Sequence, residues 1–126
     1  MSLSNIFETT TLNWLFTATS VTRPTAWYIA LYTVAPTDGG GGTEISGNAY
    51  VREAAAMSVT GDNATNTGAI EWPTATGTWG TIVAVGVFDA LSAGNLIAYG
   101  NFTVSKTITS GDVFRIPAGD LDITMD

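Results

Sequence analysis

An all-β fold, an antiparallel β-sandwich of jelly-roll or Ig-like type with one short N-terminal helix, is what this sequence predicts. Three observations carry the prediction. Short β-branched and aromatic runs crowd the second half, beginning with Thr81-Ile-Val-Ala-Val-Gly-Val-Phe-Asp89 and Asn95-Leu-Ile-Ala-Tyr-Gly-Asn-Phe102. Ser-Gly-Asp, Ala-Gly-Asp and Ala-Gly-Asn separate such runs, as in a meandering antiparallel sheet. A single apolar segment with helix-capping residues stands at the start of the chain.

Residues 3–17 are the helix candidate. Asn5 and Glu8 have capping-box spacing, and Ser4 is the alternative N-cap. Leu3, Phe7, Trp14 and Leu15 fall near one helical face; Ile6, Leu12 and Phe16 broaden it. Thr9, Thr10 and Thr11 oppose the assignment, because β-branched side chains lose χ1 freedom in a helix. A helix this apolar has to be covered, by its own sheet or by a neighbouring chain.

A polar connection over residues 17–25 closes at Arg23-Pro24. Residues 27–33 form the first strand. Trp27, Ile29 and Leu31 point one way and Tyr28 and Tyr32 the other, so both faces are partly buried. Residues 36–48 are a long loop. Its four consecutive glycines lose much conformational freedom on ordering, so it reads as a mobile surface loop or as one that orders against a partner. Residues 50–60 hold a second strand region, with Ala54, Ala55 and Ala56 fitting a close-packed or bulged stretch. Residues 69–72 form a third, short strand ended by Pro73, and 73–80 are a further loop. Closing strands follow at 81–89, 95–102, 106–109, 112–116 and 120–125, for about seven or eight strands in all, within usual sheet sizes. The expected core is Trp27, Ile29, Leu31, Val83, Val85, Val87, Leu96, Ala98, Phe114, Ile116, Leu121 and Ile123.

With 126 residues and no internal repeat, the chain reads as one domain, 1–126. A domain of this size buries roughly two thirds of the surface its unfolded chain exposes, which is enough for a core without disulfide or zinc. The formal net charge is −7, with Arg23, Arg52, Lys106 and Arg115 as the bases. Nucleic-acid binders neutralise phosphates with clustered Lys and Arg, so four scattered bases in an acidic chain argue strongly against that class. They also argue against an anionic membrane surface. No stretch approaches the roughly 18 apolar residues of a membrane span, and the N-terminal residues have neither a positive nor a long apolar region. The charged fraction, 12%, is about half that of ordinary globular proteins. Thr, Ser and Asn supply the polar surface instead, and such a surface desolvates at low cost in a large protein–protein contact.

Reaction chemistry is scarce. Without His or Cys, the Ser-His-Asp, Cys-His and His-ligated metal arrangements are excluded. The glycine run lacks the Gly-Lys-Ser/Thr of a phosphate loop. Asp112, Asp120 and Asp122 are the one set able to offer oxygen ligands to calcium, but their neighbours Gly111 and Gly119 mark them as turn residues. Trp72 and Trp79 are candidates for sugar stacking, against their more usual role as core. The expectation is no enzyme, no cofactor, no tightly bound metal and no catalytic residue.

The run Leu31-Tyr-Thr-Val-Ala-Pro-Thr-Asp-Gly-Gly-Gly-Gly-Thr-Glu-Ile-Ser-Gly-Asn-Ala-Tyr-Val-Arg52 resembles a family of small tailed-phage virion proteins. So do Trp72-Pro-Thr-Ala-Thr-Gly-Thr-Trp-Gly80, Val85-Gly-Val-Phe-Asp89, Gly94-Asn-Leu-Ile-Ala-Tyr-Gly100 and residues 105–126. Members are often named phage tail fibre proteins, and the resemblance extends to small proteins that decorate or cement icosahedral heads. It implies a virion structural protein made in the host cytoplasm. A compact domain without a repetitive shaft favours a capsid decoration protein on the head exterior, bound to the major capsid protein. Self-association as a trimer then fits the three-fold positions of the lattice. A tail fibre or baseplate accessory protein is the alternative, and a carbohydrate-binding module a further one. Candidate interface residues are Leu3, Ile6, Phe7 and Trp14, which exceed what one helix face needs. Asp38, Gly40, Glu44 and Ile45 join them from a loop that would order on binding.

Overall fold

The computed structural model describes residues 1–125; Asp126, the last residue of the expected 1–126 domain, lies outside them. In chain order the elements are β1 (Ser2–Leu3), α1 (Asn5–Phe16), β2 (Tyr28–Val34), β3 (Thr43–Glu44), β4 (Glu53–Ala54) and β5 (Met57–Thr60). Then follow β6 (Asn63–Asn66), β7 (Ile70–Glu71), β8 (Gly80–Phe88), β9 (Leu96–Ile108), β10 (Arg115–Ile116) and β11 (Asp122–Thr124). Among the described residues the regular structure is thus mainly strand, with one helix. Every strand pairing among them is antiparallel.

The strands divide unevenly. A six-stranded sheet runs β1-β9-β8-β2-β3, with β4 also on β2; beside it stand a two-stranded sheet, β10-β7, and a three-stranded one, β11-β6-β5. Jelly-roll and Ig-like folds divide their strands between two sheets of similar size. Among the described residues, eleven strands replace the expected seven or eight because several are two-residue pairings too short to leave a periodic signal.

The long central strands explain the core. Across β2 and β8, Ile29 lies opposite Val87 and Leu31 opposite Val85, while Ala30 meets Gly86 and Tyr32 meets Ala84. Successive side chains leave a strand on opposite sides, so each set builds its own apolar cluster. The larger cluster joins Ile29, Leu31, Val85 and Val87 to Trp72, Phe114, Ile116 and Leu121 from the region of the small sheets. Trp72 stands edge-on to Phe114 with ring centroids 5.4 Å apart, and Phe114 reaches Phe102 at 5.7 Å. The smaller cluster, Ala30, Tyr32, Ala84, Phe88 and Leu96, lies on the opposite face. Gly86 makes room for it: a Cβ there would sit 3.0 Å from both Leu96 Cδ1 and Tyr32 Cε2.

Nine of the twelve expected core residues are buried; Trp27, Val83 and Ile123 are only half-buried. Trp27 precedes β2, Val83 sits where the β8–β9 register shifts, and Ile123 lies on the edge strand of the three-stranded sheet. The 73–80 segment is not a surface loop throughout. Ala75 and Trp79 are buried, and the segment is tied down by Ala75 N–H to Asp112 O (2.9 Å) and Trp79 N–H to Ile108 O (2.9 Å). The expected strands 95–102 and 106–109 are one strand, β9. From Ile82 to Ala84, β8 takes two steps while its partner runs five, from Lys106 to Asn101, so β9 carries three extra residues there. The extra residues break the alternation, which is why the sequence reads as two strands.

Candidate assembly surface

α1 is fastened at its start and bare along its body. Ser4, in extended conformation (φ −75°, ψ 158°), is the N-cap; its Oγ accepts from Phe7 N–H at 3.5 Å and donates to the Leu96 carbonyl. Ser4 N–H donates to Ile97 O (2.8 Å) and Asn5 N–H to Asp38 O (2.9 Å). β1 adds a short pairing of Ser2 with Tyr99 and Leu3 with Ala98. Beyond these anchors the helix holds no buried residue. Ile6 is 54% exposed, Leu12 57%, Trp14 65%, Leu15 55% and Phe16 77%. A helix apolar on all sides normally belongs inside a protein, so this one lacks the cover its side chains call for.

The apolar positions are not scattered evenly. At about 100° per residue, Leu12, Leu15 and Phe16 form one stripe, spaced i, i+3, i+4. Trp14 points to the far side, where it lines a cleft of about 370 Å³ with Phe7, Val21 and Pro24. Thr11 donates its hydroxyl back to the Phe7 carbonyl inside the helix, and Thr17, the C-cap, donates to the Asn13 carbonyl. Glu8 is the only charge on α1.

The glycine run, expected as a mobile loop or one ordered by a partner, is a built turn. Thr37 and Gly40 exchange backbone bonds of 2.9 and 2.8 Å, and the Tyr99 hydroxyl donates to Asp38 Oδ1. Gly42 has φ +75°, and a Cβ on it would lie 2.6 Å from the Val34 carbonyl oxygen, so only glycine fits. Ile6, Asp38 and Gly40 therefore meet around one cleft of about 230 Å³ beside the smaller apolar cluster.

Leu3 and Phe7 are half-buried at the anchored end. Glu44 and Ile45 are elsewhere and turned inward. Ile45 is 6% exposed and belongs to the larger cluster, so it offers no surface. Glu44 pairs with Arg52 through two contacts of 2.9 Å and accepts the Tyr50 hydroxyl at 2.8 Å. Arg52 lies 3.7 Å over the Phe88 ring and donates to the carbonyls of Ala90 and Ala93, so this network latches the turn after β8. The expected interface set is thus split in two, with Leu3, Ile6, Phe7, Trp14, Asp38 and Gly40 near α1 and Glu44 and Ile45 in the body. Leu12, Leu15 and Phe16 are the interface candidates that the sequence-based set omits. Their signal is an apolar i, i+3, i+4 stripe with no covering strand to match it.

Several titratable groups have structural surroundings that account for them. Burial, reinforced by the Glu44 carboxylate, pushes the Tyr32 hydroxyl up to about 12, and burial raises Tyr50 as well. Asp112 is held below the usual carboxylate range by the amide and hydroxyl of Thr109. Asp122 accepts from Asn63, and no group of three His, Cys, Asp or Glu able to hold a metal forms among the described residues. Trp72 and Trp79 are both buried, so neither presents a face to a sugar. Among the described residues no helix is long and apolar enough to cross a membrane.

A family model described as Gp80, podophage GP4 fiber I protein gp80, matches residues 2–124. No curated protein matches the chain.

Proposed function

Since this chain belongs to the Gp80 family, that of podophage GP4 fiber I protein gp80, a family of phage virion structural proteins and not of enzymes, we propose that it is a fibre subunit of the virion tail. The observation that carries the reading is the family match across nearly the whole chain. The geometry supports it: the domain offers a bare apolar helix for assembly, and Asp38, Tyr99 and Asp122 are engaged in bonds within the fold. α1 attaches the domain to its neighbours in the virion, while the sheets give it a rigid body.

Decoration of the head, with the major capsid protein as partner, is the second reading. One observation favours it: the described residues form a body of three antiparallel sheets with no repeated shaft segment. The low charge density suits either site, because few charges have to be desolvated when the surface is covered.

Gold-labelled antibodies against the folded domain, applied to purified virions, distinguish the two. Gold at the tail is the expected result. Gold confined to the head would replace the fibre reading with the decoration reading. Virions without the protein would overturn both.

A further inference from the structure

We infer that the cleft between β9 and β10 takes an extended acidic peptide segment of a partner protein as an added strand. The cleft holds about 390 Å³ and is lined by Phe102, Val104 and Lys106 from β9 and by Phe114, Arg115 and Pro117 from in and around β10. No residue of α1 lines it, so it is a surface separate from the bare helix.

Both strands come to this cleft with unused main-chain groups. Among the described residues β10 pairs with β7 alone. On the edge away from β8, β9 is paired only at Ala98 and Tyr99, by β1. From Phe102 to Ser105, where β9 carries its extra residues, the strand has no register partner on β8 either. Unpaired N–H and C=O groups along a strand are what an incoming strand bonds. Val104, within that stretch, is 80% exposed, more than any other large apolar side chain among the described residues. A strand laid in the cleft covers it.

Charge selects the kind of strand. Two of the chain's four bases, Lys106 and Arg115, line this one cleft, although the chain has eleven acids. Among the described residues the one ion pair is Arg52 with Glu44, so neither of these two bases has a carboxylate within salt-bridge distance. The acids nearby are Asp112 and Asp120. Asp112 lies near enough to Lys106 to feel its charge, but it is committed to the Thr109 amide and hydroxyl at 2.9 and 3.1 Å. Asp120 lines the cleft and offers an acceptor to an incoming N–H. A bulge and a lysine ordinarily guard an edge against pairing. Here the guard discriminates: a basic strand is repelled by Lys106 and Arg115, and a strand with carboxylates pairs with them. An acidic glycan would meet the same two charges but leave the main-chain groups of β9 unbonded, which favours a peptide.

The test is titration of the full chain, followed by amide NMR, with the capped peptide Glu-Thr-Glu-Val-Glu-Thr-Glu. Binding is expected with shifts centred on residues 102–106 and 114–117, and slower hydrogen exchange at Thr103, Val104 and Ser105 is the mark of an added strand. The same peptide with every second amide N-methylated keeps its charge and is expected to bind at least about tenfold more weakly. Lys106→Gln with Arg115→Gln, both on exposed side chains, is expected to weaken binding at least about fivefold with an unchanged far-UV spectrum. A peptide with Lys in place of Glu is expected not to bind, and trigalacturonate to bind more weakly than the glutamate peptide. No binding of the glutamate peptide at about 5 mM would overturn the inference. So would equal binding of the lysine peptide, the N-methylated peptide or trigalacturonate, or a double variant that binds like the wild type. None of these results bears on where gold labels the virion, so the two readings fail separately.

Discussion

Single residues decide whether the small sheets stay attached. Asn66 is almost fully buried, and every polar atom of its amide is used. Its Nδ2 donates to Gly68 O (2.8 Å) and Pro117 O (3.0 Å), and its Oδ1 accepts from Leu121 N–H at 2.9 Å. Asn66→Ala strands the buried Leu121 amide and is expected to cost about 2–4 kcal/mol, measured by urea unfolding. A loss below about 0.5 kcal/mol would mean that water replaces the side chain. Tyr32 gives a prediction in pH. Its hydroxyl is raised to about 12 from 10.0, so the fold prefers the neutral form. Its contribution is complete below pH 10 and is lost as pH rises through about 12. Stability is expected to fall over that window, and Tyr32→Phe to flatten the fall; equal slopes in the two proteins would refute the assignment. No sequence pattern reveals Asn66, because two of its three partners are 51 and 55 residues away and an isolated Asn looks like a turn residue.

At the scale of elements, α1 sets a contrast that stability measurements can read. Ser4 serves both the helix cap and the bond to Leu96, and Ser4→Ala is expected to cost about 1–2 kcal/mol. Phe16→Asn, on a side chain 77% exposed, is expected to change the stability of the isolated chain by less than about 0.5 kcal/mol. Equal and large losses at both positions would mean that α1 packs on its own domain. The helix was legible in the sequence to within two residues at its start and one at its end, since its cap and apolar spacing are local. β2 and β8 were legible for the same reason, each being a continuous run of strand-forming residues. β9 was misread as two strands, because its three extra residues make sense only against β8. β1, β3 and β6 left no signal: the first two are too short to show a period, and Asn63–Asn66 lacks apolar alternation. The bonds that shape the glycine turn are not legible in the sequence, because composition does not report them.

For the whole molecule, the sequence foretold an antiparallel all-β body and a phage virion family, and the fold and the family match agree with both at that level. The interface was only half legible. Periodicity marks which residues are apolar, but not which of them the fold covers. Ile45 and Phe16 look alike in sequence, yet one is core and the other the most exposed apolar side chain of α1. The central claim is that this chain works by being held in the virion through α1. A cryo-EM map of the parent virion tests it most directly. Density for this domain is expected at the tail, with Leu12, Leu15 and Phe16 covered by neighbouring subunits. A map in which the domain is present with α1 open to solvent on every copy would contradict it.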